Sequence, residues 1–299
     1  MSESCRTASI EHGEPIAGSA VACTAVWIVL EHRGPWGNKA VPESDLPEAV
    51  KGRLMQWQKE IAGARVQLVR RSKRTEGSLR LWLAVSDLGG ARMFGWTLED
   101  ADALTAVDVP AAVEAIRAGA SVPGAQESTT PLVLVCTNGR RDVCCAKWGV
   151  PVVQALEQEP GLDVWQTTHL GGHRFAATLL QLPQGLCYGR VMPEEASALA
   201  AAIRQGQVYR LDRLRGRTAL HGVEQAAEVA WRAASGEAHI GALARVEHVE
   251  ADDAVMVTLH GHDGRSHQVA LERRELGPSA PPSCGKPPAP VAGWFQRSA

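Results

Sequence analysis

Leu132-Val133-Leu134-Val135-Cys136-Thr137-Asn138-Gly139-Arg140-Arg141-Asp142-Val143-Cys144-Cys145 opens apolar, turns polar, and closes on two cysteines. The four aliphatic residues read as a buried strand, and the Asn-Gly stretch as a loop. A helix is predicted next, with Pro151 in its first turn and Trp148, Val152 and Leu156 on one face. Strands follow at 164–167, 176–182 and 186–191. A last helix starts at Pro193-Glu194-Glu195 and stops near Gly206, with Arg204 in its final turn. Acid at the start and base at the end suit the helix dipole.

Working upstream, the same order recurs. A strand is expected over 23–30, around Trp27, Ile28 and Val29, followed by the loop Arg33-Gly34-Pro35-Trp36-Gly37. A helix begins near Asp45, a candidate cap, with Glu48 three residues on and an apolar stripe of Leu46, Val50, Leu54 and Trp57. Strands at 65–69, 79–85 and 93–97 lead to a helix from Glu99-Asp100. Residues 77–100 align with 172–194 almost without gaps, with Phe94-Gly95 over Tyr188-Gly189. Both stretches read β-loop-α-β-β-β-α. The expected fold is therefore α/β, a duplicated unit at 21–120 and 130–206.

Residues 1–20 read as a loose lead-in, and Arg210 to Arg217 as a solvated basic linker. A small C-terminal α+β module is expected over 218–299: a helix at 219–234, strands at 244–249, 255–260 and 266–271, and an extended Pro-rich tail from Gly277 to Pro290. At roughly 100–200 residues per domain, such a division suits the 299 residues of the chain.

Composition narrows the function. The chain is 45% hydrophobic and 21% charged, ordinary for a globular protein. Its net charge of -2 provides no global field for nucleic acid, which is not an expected partner. The longest apolar run, near 21–30, falls well short of the roughly 18 residues of a membrane span, and the N-terminus lacks a basic signal region. A cytoplasmic protein without a membrane partner is expected. Seven unevenly spaced cysteines make a poor disulfide framework, while Cys136, Cys144 and Cys145 within ten residues point to metal or redox chemistry.

His169-Leu170-Gly171-Gly172-His173 supplies the other half of the chemistry. The glycines argue against a helical histidine pair and for a tight loop that bends both imidazoles to one point. Thiolates and imidazoles are what soft and borderline metals select. The corresponding loops of the first unit, His32-Arg33-Gly34-Pro35 and Arg71-Ser72-Lys73-Arg74, hold no such set. Arg140, Arg141 and Arg174 flank the second set and could stabilise added negative charge or dock an acidic partner. Cys5, Cys23 and Cys187 read as structural or incidental, and Cys284 as either close to the site or inert.

With Gly34-Pro35-Trp36-Gly37, Cys136-Thr137-Asn138-Gly139, Arg141-Asp142, Cys144-Cys145, His169 to Phe175 and Tyr188-Gly189-Arg190, the chain resembles the sucrase/ferredoxin-like proteins. These belong with the thioredoxin-like [2Fe-2S] ferredoxins. The resemblance covers about 20–206 and, more weakly, Ser283-Cys284-Gly285-Lys286. It implies thioredoxin-like ferredoxin units and a [2Fe-2S] cluster held by a Cys-x8-Cys pair and a His-x-Gly-Gly-His pair. Carried over, the ligands are Cys136, Cys145, His169 and His173, with Cys144 one residue out of register. Electron transfer with an unidentified redox partner protein, coupled to protons through the outer imidazole nitrogens, is what this implies. The alternatives are a structural zinc site with the same four ligands and a thiol redox enzyme using Cys144 and Cys145. An electron carrier is favoured over an enzyme, and sugar hydrolysis is not expected, since no carboxylate pair stands in a glycosidase context.

Overall fold

β1 (Val26–Glu31) is buried at all six positions and forms the spine of the first half of the molecule. The computed structural model describes residues 4–251 and 254–297. Ahead of β1, Cys5–Glu11 forms a helix, α1, where a loose lead-in was expected; the Ser4 hydroxyl caps it by accepting from Thr7 N. Seven residues cannot hold a helix in water alone. Four of them are buried, so tertiary packing holds it. α2 (Glu48–Glu60) buries Val50, Leu54 and Trp57, the predicted stripe. It starts after Pro47 without a side-chain cap, and Asp45 instead stands 2.8 Å from His32 Nε2. β2 (Ala64–Arg70), β3 (Leu79–Val85) and β4 (Arg92–Leu98) follow. The helix expected from Glu99 is a single 3-10 turn, Asp102–Ala106, and then α3 (Val109–Arg117), which Asp108 caps and Pro110 opens. β5 (Gln126–Glu127) ends this half.

The second half runs β6 (Leu132–Cys136), α4 (Val143–Leu156), β7 (Asp163–Thr167), β8 (Leu179–Leu182), β9 (Leu186–Tyr188) and α5 (Ala196–Arg204). β1 pairs parallel with β2 and antiparallel with β3, which pairs antiparallel with β4. β6 pairs parallel with β7 and antiparallel with β8, which pairs antiparallel with β9. The halves thus share strand order and pairing sense. They join where β2 meets β7 antiparallel, through Val69–Thr167 and Arg70–Gln166. Both contacts lie at C-terminal tips, so the loops leaving β1, β2, β6 and β7 gather at mid-sheet. Trp27, Val29 and Trp82 from one half pack with Leu134, Cys136, Cys145 and Trp165 from the other.

β10 (Leu214–Arg217) completes a mixed sheet of ten strands beside β9. The expected linker is therefore a sheet edge, and Arg215 and Arg217 are buried in it. Arg217 reaches Glu228 on α6 (Gly222–Ser235) at 2.9 Å, and Arg232 reaches the same carboxylate at 3.0 Å. A separate antiparallel sheet holds β11 (Leu243–Ala251), β12 (Ala254–Gly261), β13 (Ser266–Ala280) and β14 (Ala289–Gln296) in that order. Only the ends of the expected tail are strand, in β13 and β14, and residues 281–288 between them form a loop. Among the described residues, no helix is long and apolar enough to cross a membrane.

Candidate metal centre

Parallel pairing of β6 with β7 places Cys136, the last residue of β6, opposite Thr167, two residues ahead of His169. The loop after Cys136 is held by Asn138, whose Nδ2 donates to Gly37 O at 3.1 Å. Asp142 then caps α4, its Oδ1 accepting from Cys144 N at 2.9 Å. The helix therefore starts at Val143, about two turns before the expected first turn at Pro151. Cys144 and Cys145 lie inside its first turn, where the helix dipole favours thiolates.

Gly171 and Gly172 take left-handed φ of +92° and +68°, and a single 3-10 turn begins at His173. This is the tight loop that the glycine pair predicts; it brings the two imidazole rings to 5.2 Å between centroids. His169 Nδ1 lies 3.9 Å from Cys136 Sγ and 3.7 Å from Cys145 Sγ. These three donor atoms lie within 4.8 Å of one another, close enough to hold a metal ion. His173, the fourth expected ligand, is not in this group; its ring stands beside that of His169. Its Nε2 is 2.8 Å from the carbonyl of Pro282, which can only accept, so the proton is on Nε2. That leaves His173 Nδ1 as a bare lone pair, buried and without a partner.

The hydrogen bond from Cys145, with help from His169, holds the Cys136 thiol well below the ordinary range despite its burial. Donating that bond, together with burial, pushes Cys145 up. Burial also lowers His173, keeping it neutral as a ligand must be. Burial would raise Asp142, but the N–H groups of Cys144 and Cys284 and the Ser283 hydroxyl outweigh it and hold the carboxylate low.

Two of the three flanking arginines have partners of their own. Arg141 donates to Asn38 at 2.6 Å, and Arg174 pairs with Glu14 at 2.6 Å. Two arginines not singled out from the sequence hold the histidine loop instead. Arg65 donates to His169 O and Arg215 to Gly171 O, each at 2.9 Å. Arg65 belongs to the first half, and only the join at mid-sheet brings it here. A cleft of about 600 Å³, lined by Lys39, Arg65, Arg141 and Thr168, opens onto His169. Cys144 does not face Cys136; its sulfur lies 3.6 Å from Cys5 Sγ and 3.3 Å from Cys284 Sγ. Cys187 is buried beside Arg215, and Cys23 is exposed beside His221.

The profile of the sucrase/ferredoxin-like family matches residues 16–216, the span of the large sheet up to β10. A protein of Meyerozyma guilliermondii, "Altered inheritance of mitochondria protein 32", is 37% identical over 103 residues. That match covers 30% of this chain and 36% of the relative, so the chain spans about a third of the curated protein it resembles. Two cysteine-to-serine variants of the thioredoxin-like [2Fe-2S] ferredoxin from Aquifex aeolicus are similar in part. They are 17% and 20% identical, cover 28% and 25% of this chain and 96% and 88% of their own, and superpose with TM-scores of 0.25 and 0.23.

Proposed function

The chain belongs to the sucrase/ferredoxin-like family, and we propose that it is an electron carrier whose Cys136, Cys145, His169 and His173 hold a [2Fe-2S] cluster. The observation that carries this reading is the donor set: the sulfurs of Cys136 and Cys145 lie within 3.9 Å of His169 Nδ1, and the ring of His173, its Nδ1 unpartnered, stands 5.2 Å from that of His169. A buried imidazole nitrogen with no hydrogen bond is costly unless it ligates. Two thiolates and two neutral imidazoles would leave an oxidised cluster uncharged; it would accept one electron at about −150 to +300 mV, against about −400 mV for plant-type ferredoxins.

The chain's own residues do the rest. Arg65 and Arg215 grip the carbonyls of the histidine loop and fix its course. Pro282 sets the tautomer of His173 by accepting from Nε2. The cleft at His169 gives a redox partner protein an approach, and its cationic lining suits an acidic surface. Protein purified without oxygen from iron-replete cells should be red-brown, with two irons and two acid-labile sulfides per chain. A colourless protein with one zinc at these ligands would overturn the reading.

One observation favours zinc as the second reading. His169 Nδ1 at 3.7 and 3.9 Å from the two sulfurs matches the roughly 3.6 Å between ligands of one tetrahedral ion with bonds near 2.0 and 2.3 Å. A thiol enzyme built on Cys144 and Cys145 has less support, because their sulfurs join different donor groups.

The equal strand orders of the halves support duplication of one thioredoxin-like unit, at 21–120 and 130–206, with 218–299 as a third module. We place the protein in the cytoplasm.

A further inference from the structure

The sulfurs of Cys5, Cys144 and Cys284 form a triangle with sides of 3.6, 3.3 and 3.4 Å. The three residues come from α1, α4 and the loop between β13 and β14. Cys5 and Cys144 are fully buried and Cys284 half-buried. A carboxylate oxygen of Asp142 lies within 4.8 Å of all three. Nothing in the electron-transfer reading uses this group. Adjacent residues of a helix point about 100° apart, so Cys144 turns to Cys5 and Ala176 while Cys145 turns to Cys136 and His169.

We propose that Cys5, Cys144 and Cys284, with Asp142 as the fourth ligand, form a second metal site that holds one structural zinc ion. Thiolate sulfurs about 2.3 Å from a tetrahedral zinc lie roughly 3.8 Å apart, close to the triangle seen. A polynuclear cluster would spread them further. Asp142 can complete the set: its Oδ1 accepts one bond, from Cys144 N, and a carboxylate oxygen has a second lone pair to give. Its Oδ2 accepts from Ser283 Oγ at 2.9 Å and Cys284 N at 3.0 Å, which pins the loop that delivers Cys284. Gly285, at φ +78°, turns the chain straight after that cysteine. Binding releases to solvent the protons that the three thiols still carry, and no electron moves. The ion would tie segments 139 and 140 positions apart onto α4, and would hold Pro282 against His173. That last effect alone rests on the cluster reading.

The test removes the first site and leaves the second. The full-length Cys136→Ser/Cys145→Ser chain, reduced, stripped of metal and titrated with zinc against a chromogenic chelator, should bind one zinc. Adding Cys284→Ser or Cys5→Ser should abolish that binding. A folded double variant that binds no zinc, or binding indifferent to Cys5 and Cys284, overturns the proposal. So does peptide mapping that finds Cys144 in a disulfide in protein prepared without oxygen. If the double variant does not fold, the natural chain decides. Cys284→Ser should lose one zinc per chain and keep its iron and colour, whereas zinc unchanged from the natural chain overturns the proposal. A colourless natural chain would sink the cluster reading and leave this measurement intact.

Discussion

Cys144 and Cys145 adjoin in sequence and face different partners, so serine at each should have separable effects. Cys145→Ser is expected to lose most of the visible absorbance and iron, because it removes one of two thiolates at His169. Cys144→Ser should keep both, since its sulfur faces Cys5 and Cys284 rather than Cys136 and His169. Iron analysis and absorbance of the two variants check this; the reverse pattern would assign the wrong cysteine to the cluster. At the histidines, His169→Cys or His173→Cys adds one negative charge, and voltammetry should show a potential lower by on the order of 100–300 mV. These residues were legible in the sequence because their motifs are local: eight residues separate Cys136 from Cys145, and Gly171-Gly172 forces the bend between the imidazoles. Cys5 and Cys284 were not legible as a pair. They stand 279 positions apart, and no periodicity reports a meeting made by tertiary packing.

The elements that present these residues have tolerances of their own. A Cβ on Gly149 of α4 would press into the carbonyl oxygen of Cys136, a backbone atom that cannot rotate away. Gly149→Ala should therefore cost about 1–3 kcal/mol in denaturant unfolding and lower cluster occupancy, by shifting the strand end that carries a ligand. The start of α4 was misjudged from the sequence because Pro151 reads as a first-turn residue, whereas the Asp142 cap decides. At the far edge, Glu228 between Arg217 and Arg232 pins α6 to β10. Burial pushes this carboxyl up, but the two guanidinium groups outweigh it and hold it below the ordinary glutamate range. Glu228→Gln should cost about 3–5 kcal/mol at neutral pH, since it leaves buried cations without their anion. A depressed folded pKa gives stability that is present above the unfolded value and lost as pH falls through the folded one. Urea unfolding of the two proteins should therefore differ most at pH 7, and the gap should shrink progressively as pH falls below the unfolded glutamate value. A constant gap down to pH 2 would mean that the charge is not what matters. The arginine run was legible as basic and not as a sheet edge, because burial of Arg215 and Arg217 depends on partners outside the run.

In the whole molecule, the two halves meet at the C-terminal tips of β2 and β7, and the C-terminal module sends a loop back to the same place. The repeated strand order was legible because each half carries its own apolar pattern. The return of Pro282 was not, since nothing local marks it. That return changes the proton chemistry. From the sequence, both outer imidazole nitrogens could take up a proton with the electron. In the fold, the Pro282 carbonyl accepts from His173 Nε2, so that nitrogen would keep its proton in both redox states of the proposed cluster. His169 lines the open cleft and can exchange with solvent. Reduction of the proposed cluster would add negative charge beside His169, so electron uptake should draw one proton from solvent to its outer nitrogen. Where that coupling holds, the midpoint potential should fall by about 59 mV per pH unit, the slope for one proton with one electron. Voltammetry across the pH range checks the slope. A fall about twice as steep would show that Pro282 does not hold the His173 proton, and a potential independent of pH would remove His169 from the ligand set.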